Sequence, residues 1–405
     1  MAYEKFHKHE RFQRITFLWH NVGYLSSLGP VNARPLLFSL APLVLLPLGA
    51  CSAPPDRDEG AASGADAVVV DTHDPLARAQ YDANVAFARG YTPTCAKPVD
   101  GSRPRVIVTG FGRFQGIEDN ATGHIVSRVV PGLAYPETQP AAAGQIDPPA
   151  AQTATKLATI TLPGAGEVDV CGLILPVYWD LAAILIAKEV DAFQPTFVMM
   201  DGVADTEQPL WLELGGVNRA MVAEDGSNIL SPKPPTGQDY APLVKTASTA
   251  DTLKGLFLSY PQVQAAAKTA VLAHADDDEA GRKFKDVVQG VLRAGFPRAG
   301  NTYLCNNVAY VTNYVMSYPG KSVTLLQPSD GPKDGVKVKL ATDTRSVPRV
   351  FVHWPSTLAG KHLDAAADVM CAIVDAQLVA LGDASAQPIV GTNAMAEIEA
   401  SGPTF

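Results

Sequence analysis

A thiol, an imidazole and a carboxylate stand in three apolar runs far apart in the chain. Glu213 ends Leu210-Trp211-Leu212, Cys305 follows Thr302-Tyr303-Leu304, and His353 ends Val350-Phe351-Val352. A thiolate attacks a carbonyl far better than a thiol, and a free thiol ionises only near pH ~8.5. A neighbouring imidazolium or a helix N-terminus eases that ionisation. The run Asn306-Asn307-Val308-Ala309-Tyr310-Val311 turns from polar to helical, so Cys305 is expected at a helix start. Amide N–H groups there would also hold a developing oxyanion. His353 would take the thiol's proton and return it to a leaving amine. Glu213 would hold the ring by its other nitrogen. These are the parts of a cysteine hydrolase, in the order Glu, Cys, His. Taken singly, each has a plainer reading: a small core thiol, a satisfied structural imidazole, a solvated carboxylate. Their occurrence together favours the catalytic one.

The elements that must position them alternate. Asp74 caps a helix over residues 75–89, with Pro75 at its first position. Residues 105–109 read as a buried strand followed by the turn 110–114, and Asn120 caps a helix over 121–130. Residues 131–152 read as loop. Strands are expected at 168–175, 196–200 (ended by Asp201-Gly202), 210–217 and 349–353. Helices are expected at 179–193, 279–294, 305–317 and 361–381. Residues 223–243 are a polar, proline-rich excursion. This alternation predicts an α/β fold, a mainly parallel sheet between two helical layers, as one catalytic domain over 105–382 with long inserted loops. Residues 74–104 are its N-terminal helix and linker, and 383–405 a weakly structured tail.

At these segments the chain resembles the pyroglutamyl peptidase I family of cysteine peptidases. Val106-Ile107-Val108-Thr109-Gly110-Phe111-Gly112-Arg113-Phe114 is similar to its opening strand and Gly-Phe-x-Pro-Phe turn. Asn120-Ala121-Thr122 and Ile174-Leu175-Pro176-Val177 follow its pattern. Glu213 with Asn218, Tyr303-Leu304-Cys305-Asn306 and Phe351-Val352-His353-Trp354-Pro355 match the flanks of its acid, nucleophile and base. The resemblance implies a peptidase that hydrolyses the amide after an N-terminal pyroglutamyl or similar cyclic residue, acting on peptides with a blocked N-terminus. Cys305, His353 and Glu213 would be its triad; Phe111, Phe114 and Leu304 would bind substrate, and no metal or organic cofactor is implied. Phe114 has a second reading as core packing. The chain also departs from the pattern. Arg113 replaces a proline, Val203 stands where many members have a glutamine, and the strand expected ahead of the nucleophile is short or missing between 295 and 298. Insertions before 168, between 218 and 279, and between 318 and 349 would reshape or roof the pocket. A binding lipoprotein on the same scaffold is the alternative.

Composition sets the address. The chain has 405 residues, 47% hydrophobic and 18% charged, as a globular protein with a sizeable core has. Residues 35–48 form an apolar run too short and proline-rich for a membrane span, and read as the core of an export signal over residues 1–51. An uncleaved anchor or a buried helix is the other reading. A start at Val31 would suit such a signal better. Leu48-Gly49-Ala50-Cys51 resembles a bacterial lipobox, which implies lipidation at Cys51 and a protein held to a membrane in the cell envelope, on the periplasmic or surface side. Residues 52–73 would be a flexible tether. A net charge of −9 argues against a nucleic-acid partner. Cys95 and Cys171 are able to pair outside the cytoplasm, though nothing in the sequence chooses, and Cys371 reads as packed and inert. Asp276-Asp277-Asp278-Glu279 reads as a helix-start cap and a solvated face. No P-loop, HExxH or GxSxG is present. Oligomeric state is left open.

Overall fold

In the computed structural model, described residues are 65–66, 68–98, 101–114, 117–204, 206–213, 215–245, 248–249, 251–256, 260–294, 302–332 and 334–383. The expected signal, the lipobox with Cys51, and residues 384–405 lie outside them. Among the described residues no helix is long and apolar enough to cross a membrane.

The main elements are α1 (Pro75–Gly90), β1 (Arg105–Phe111), α2 (Ala121–Val129), β2 (Ala154–Leu162), β3 (Gly166–Leu175), α3 (Leu181–Phe193), β4 (Phe197–Val203), β5 (Gln208–Glu213), α4 (Tyr260–Ala273), β6 (Val288–Ala294), α5 (Leu304–Ser317), β7 (Arg349–Trp354) and α6 (Lys361–Leu381). The seven strands form one sheet in the order β6-β5-β7-β4-β1-β3-β2. Strands β7, β4, β1 and β3 are mutually parallel. Edge strand β2 runs antiparallel to β3, and β5 antiparallel to β7. One apolar cluster packs α1, α3 and α5 against one face, and a second packs α2, α4 and α6 against the other. The α/β architecture with a mainly parallel sheet between helical layers is thus the one the alternation implied.

Local chemistry fixes several boundaries. The Asp74 carboxylate accepts from the Leu76 and Ala77 N–H groups, and Asn120 accepts from the Thr122 N–H. Helix α3 is apolar on nearly every side because it is buried on nearly every side. Gly110 lets α2 approach β1: a Cβ there would sit 2.3 Å from the Thr122 carbonyl oxygen. Strands β1 and β4 run further than expected, to Phe111 and through Asp201-Gly202 to Val203. Asp201 stays in the strand because its Oδ1 accepts from the Trp354 indole N–H at 2.8 Å.

The helix expected at 279–294 is not there. Asp278–Glu279 pairs with Arg282–Lys283 in a tight hairpin, one helical turn follows at Phe284–Val287, and β6 then pairs parallel to β5. The register shifts between Val288 and Val291, around Gly290 with φ 131°. That bulge buries Val288 and Val291 at a spacing of three, which imitates a helical period. The strand ahead of the nucleophile, expected to be short or missing at 295–298, is β6 at Val288–Ala294; residues 295–298 lie outside the described ones. The acidic cluster belongs to the hairpin, with Asp276 paired to Lys283 and Lys285. Helix α4 and strand β2, both inside insertions, had no counterpart in the expected elements. The expected tether is docked from Val68 onward: Val68 and Val70 are buried, and Val69–Val70 pairs parallel to Gln327–Pro328.

The insertion before 168 explains Arg113. Its guanidinium is buried and makes a bidentate pair with Asp147 of the inserted loop, 2.6 Å from Oδ2 and 2.5 Å from Oδ1. The Asp147 backbone is read in both directions by the Gln80 amide of α1, at 2.7 and 2.9 Å. One ion pair therefore ties the first turn, the inserted loop and α1 together. Replacing Asp147 by Ala strands a buried guanidinium, which should cost about 3–5 kcal/mol of unfolding free energy. Urea unfolding followed by tryptophan fluorescence measures it; a loss under about 1 kcal/mol would contradict the role given to this pair.

Candidate active site

The sheet register brings Glu213 and His353 to one face. In the antiparallel β5–β7 pair, Phe351 lies opposite Glu213 and His353 opposite Trp211. Side chains alternate along each strand, so Glu213 and His353 are diagonal neighbours on the side covered by α5. His353 Nδ1 stands 2.8 Å from Glu213 Oε1, and both side chains are almost fully buried. The ring N–H is not aimed straight at that oxygen, so the attraction is first one of charge. With Nδ1 turned to Glu213, Nε2 is left for the Cys305 thiol, with which His353 shares a hydrogen bond. Burial pushes the imidazole pKa down. The Glu213 charge, then that of Cys305 and a hydrogen bond to it, outweigh it and raise the pKa to about 9.

Cys305 occupies the second position of α5 and is half-buried. Helix bonding begins with the Asn307 N–H donating to the Tyr303 carbonyl. The Tyr303 side chain does not cap the helix, so the amides of Leu304, Cys305 and Asn306 lie ahead of the helical ladder. The helix start is instead held from outside. Asn306 accepts from the Val217 N–H at 2.9 Å and donates to the Val217 and Arg219 carbonyls at 2.8 Å. Gly202 of β4, in register with His353, clears the thiol's place: a Cβ there would stand 2.8 Å from Cys305 Sγ. The other free thiol among the described residues, Cys371 on α6, faces the opposite layer. Burial, then Asp368 and Asp375, push its pKa up to about 11.

Of the expected substrate-binding residues, Phe114 lines a cavity of about 370 Å³ with Met221, Ala223, Glu224 and Tyr303. Phe114 and Tyr303 meet edge to face with centroids 5.9 Å apart, and Tyr303 meets Trp179 likewise at 5.5 Å. Phe111 and Leu304 are buried in the apolar cluster beneath. Val203 packs toward the cluster on the far face of the sheet. Tyr303, Met221 and Asn307 were not foreseen as site residues; only their closeness to Cys305 and to Asn218 marked the segments. Asn218 is buried and fastens the excursion by accepting from the Val244 N–H at 2.6 Å and donating to its carbonyl at 2.8 Å. Cys95 and Cys171 form a disulfide across 76 residues of chain, well away from this chemistry.

No protein-family model matches the chain, and no curated protein matches it. Among solved structures it is similar to pyroglutamyl peptidase I from Bacillus amyloliquefaciens, at 12% identity and a TM-score of 0.41, over 68% of this chain and 97% of that one. It is also similar to a mutant pyrrolidone carboxyl peptidase from the hyperthermophile Pyrococcus furiosus, at 15% identity and 0.38, over 68% and 98%. Likeness at this level describes general plan only, so the chemistry rests on the geometry above.

The charge balance at His353 is open to direct measurement. Imidazole NMR should place its titration near pH 9 in the intact protein. Glu213→Gln removes the largest opposing charge, so burial then dominates and the titration should fall toward or below about 6.5. An unmoved titration would show that Glu213 does not hold the ring.

Proposed function

We propose that this chain is a cysteine peptidase of the pyroglutamyl-peptidase type, removing an N-terminal pyroglutamyl or similar cyclic residue from peptides. The observation that carries this reading is the convergence of Cys305, His353 and Glu213 on one face of the sheet, the ring between the acid and the thiol. In the proposed reaction the Cys305 thiolate attacks the scissile carbonyl carbon. Amides at the start of α5 stabilise the oxyanion. The His353 imidazolium gives its proton to the leaving amine as the C–N bond breaks, leaving a thioester. Water, deprotonated by His353, then cleaves the thioester and restores the thiol. Glu213 keeps the ring oriented through both halves and stabilises it whenever it carries the proton.

Support for a flat, uncharged residue comes from the aromatic rings of Phe114 and of Tyr303, two residues before Cys305, in the cavity they line. The proposed address is the bacterial cell envelope, with the mature chain anchored by lipid at Cys51. The Cys95–Cys171 disulfide suits such an oxidising setting. In the loop-entropy account a bridge of that span stabilises by about 4 kcal/mol.

The test is release of a fluorophore from a pyroglutamyl amide by the chain lacking its first 51 residues, with mild reductant present. Cys305→Ala should lower turnover by at least ~10³-fold with unchanged circular dichroism. Because the leaving amine needs the imidazolium, kcat/KM should fall as pH rises through about 9. Turnover that survives Cys305→Ala would refute the assignment.

A further inference from the structure

Asn307, two residues after the nucleophile, makes no contact with the reacting groups, yet it is completely buried. Its side chain binds Asp180, the residue ahead of α3. Asn307 Nδ2 donates to Asp180 Oδ1 at 2.8 Å, and Asn307 Oδ1 accepts from the Asp180 backbone N–H at 2.9 Å. The second carboxylate oxygen of Asp180 accepts from the Leu326 N–H at 2.9 Å. Every polar atom in this latch has a partner. Two of its three residues are also strained. Asp180 has φ 59° and Leu326 has φ 52°, both left-handed and neither a glycine. Left-handed backbone at a bulky residue such as Leu326 persists only where the surroundings over-determine it. Here the strain gathers at the point that holds the start of α5. The Tyr81 hydroxyl of α1 adds a bond to the Leu326 carbonyl at 3.0 Å.

The geometry points to Asp180 as a positioning residue for the nucleophile, fixing the first turn of α5, and so the Cys305 thiol, through Asn307. The proposal rests on Cys305 being the nucleophile. Asn306 fastens the same turn to Val217 and Arg219 on the other side. Cys305 thus precedes two consecutive asparagines that bind in different directions, and the helix needs no cap of its own. Two anchors are needed because the thiol sits in a slot that Gly202 barely leaves open, and a small rotation of α5 would move sulfur away from the imidazole.

The readout is the second-order rate of Cys305 alkylation by iodoacetamide across pH, measured by peptide mass spectrometry, with Cys371 as internal control. Asp180→Asn should leave the circular dichroism spectrum unchanged and slow Cys305 at least 10-fold near neutral pH, with Cys371 unaffected. Should Asp180→Asn fail to fold, Asn307→Ser carries the same expectation, since it keeps Asp180 and its bond to Leu326. The reciprocal double variant, Asp180→Asn with Asn307→Asp, is decisive. The new amide would donate to the new carboxylate and accept from the Leu326 N–H, so every bond of the latch can re-form. It should return the alkylation rate to within about 3-fold of the parent. A parental rate in the folded single variants, or a double variant as slow as the singles, overturns the proposal. Parental Cys305 that alkylates rapidly but cleaves no pyroglutamyl amide would instead sink the substrate reading and leave the latch standing.

Discussion

A carboxylate and an imidazolium survive burial together on one face of the sheet, and the rest of the site is arranged around them. Removing either charge from water costs several kcal/mol, and their attraction offsets this only when they lie close and have no better partner in solvent. Glu213 and His353 satisfy that condition because the β5–β7 pairing makes them diagonal neighbours at 2.8 Å. The antiparallel β5–β7 step, one of two in a mainly parallel sheet, is therefore what brings the pair together. A parallel β5 would give different cross-strand neighbours. The ring that results prefers to be charged, which is what a thiol needs beside it.

The long insertions are integral to this arrangement. Arg113 stands where the family pattern has a proline, and read alone it looks like damage to the turn that carries Phe114. Its partner lies 34 residues on, inside inserted sequence. With Asp147 in place, the turn is held by charge and by the Gln80 amide of α1. The excursion after Glu213 behaves similarly: Asn218 fixes it, and Met221, Ala223 and Glu224 from it wall the cavity beside Tyr303. Elements that lengthen the chain thus also shape the surface a substrate would meet.

What could be read from the sequence divides along the range of the interactions involved. Helices α1, α2, α5 and α6 were legible because their caps and periods are local: Asp74, Asn120, the polar-to-apolar switch after Cys305, and the long apolar stripe of 361–381. The order Glu, Cys, His was legible because each residue ends or follows a short apolar run. Strand β6 was misread because its bulge gives a helical spacing to Val288 and Val291. Strand β2 was passed over although Ala154 to Leu162 alternates, because a half-exposed edge strand in an Ala- and Pro-rich region carries a weak signal. The bonds of Asn307 to Asp180 and of Arg113 to Asp147 join residues distant in sequence, and no local pattern announces them.

The placement of the cysteines has one more consequence. Cys95 and Cys171 are already joined, and Cys371 is on the far side of the sheet from Cys305. Among the described residues no second thiol is within reach to condense with Cys305 once an oxidant has converted it to a sulfenic acid. Thiols of that kind are rescued by an internal neighbour that closes a disulfide; without one, further oxidation to the irreversible sulfinic acid competes with repair. Recovery of this sulfur would then fall to a small thiol or a reductase arriving from solution.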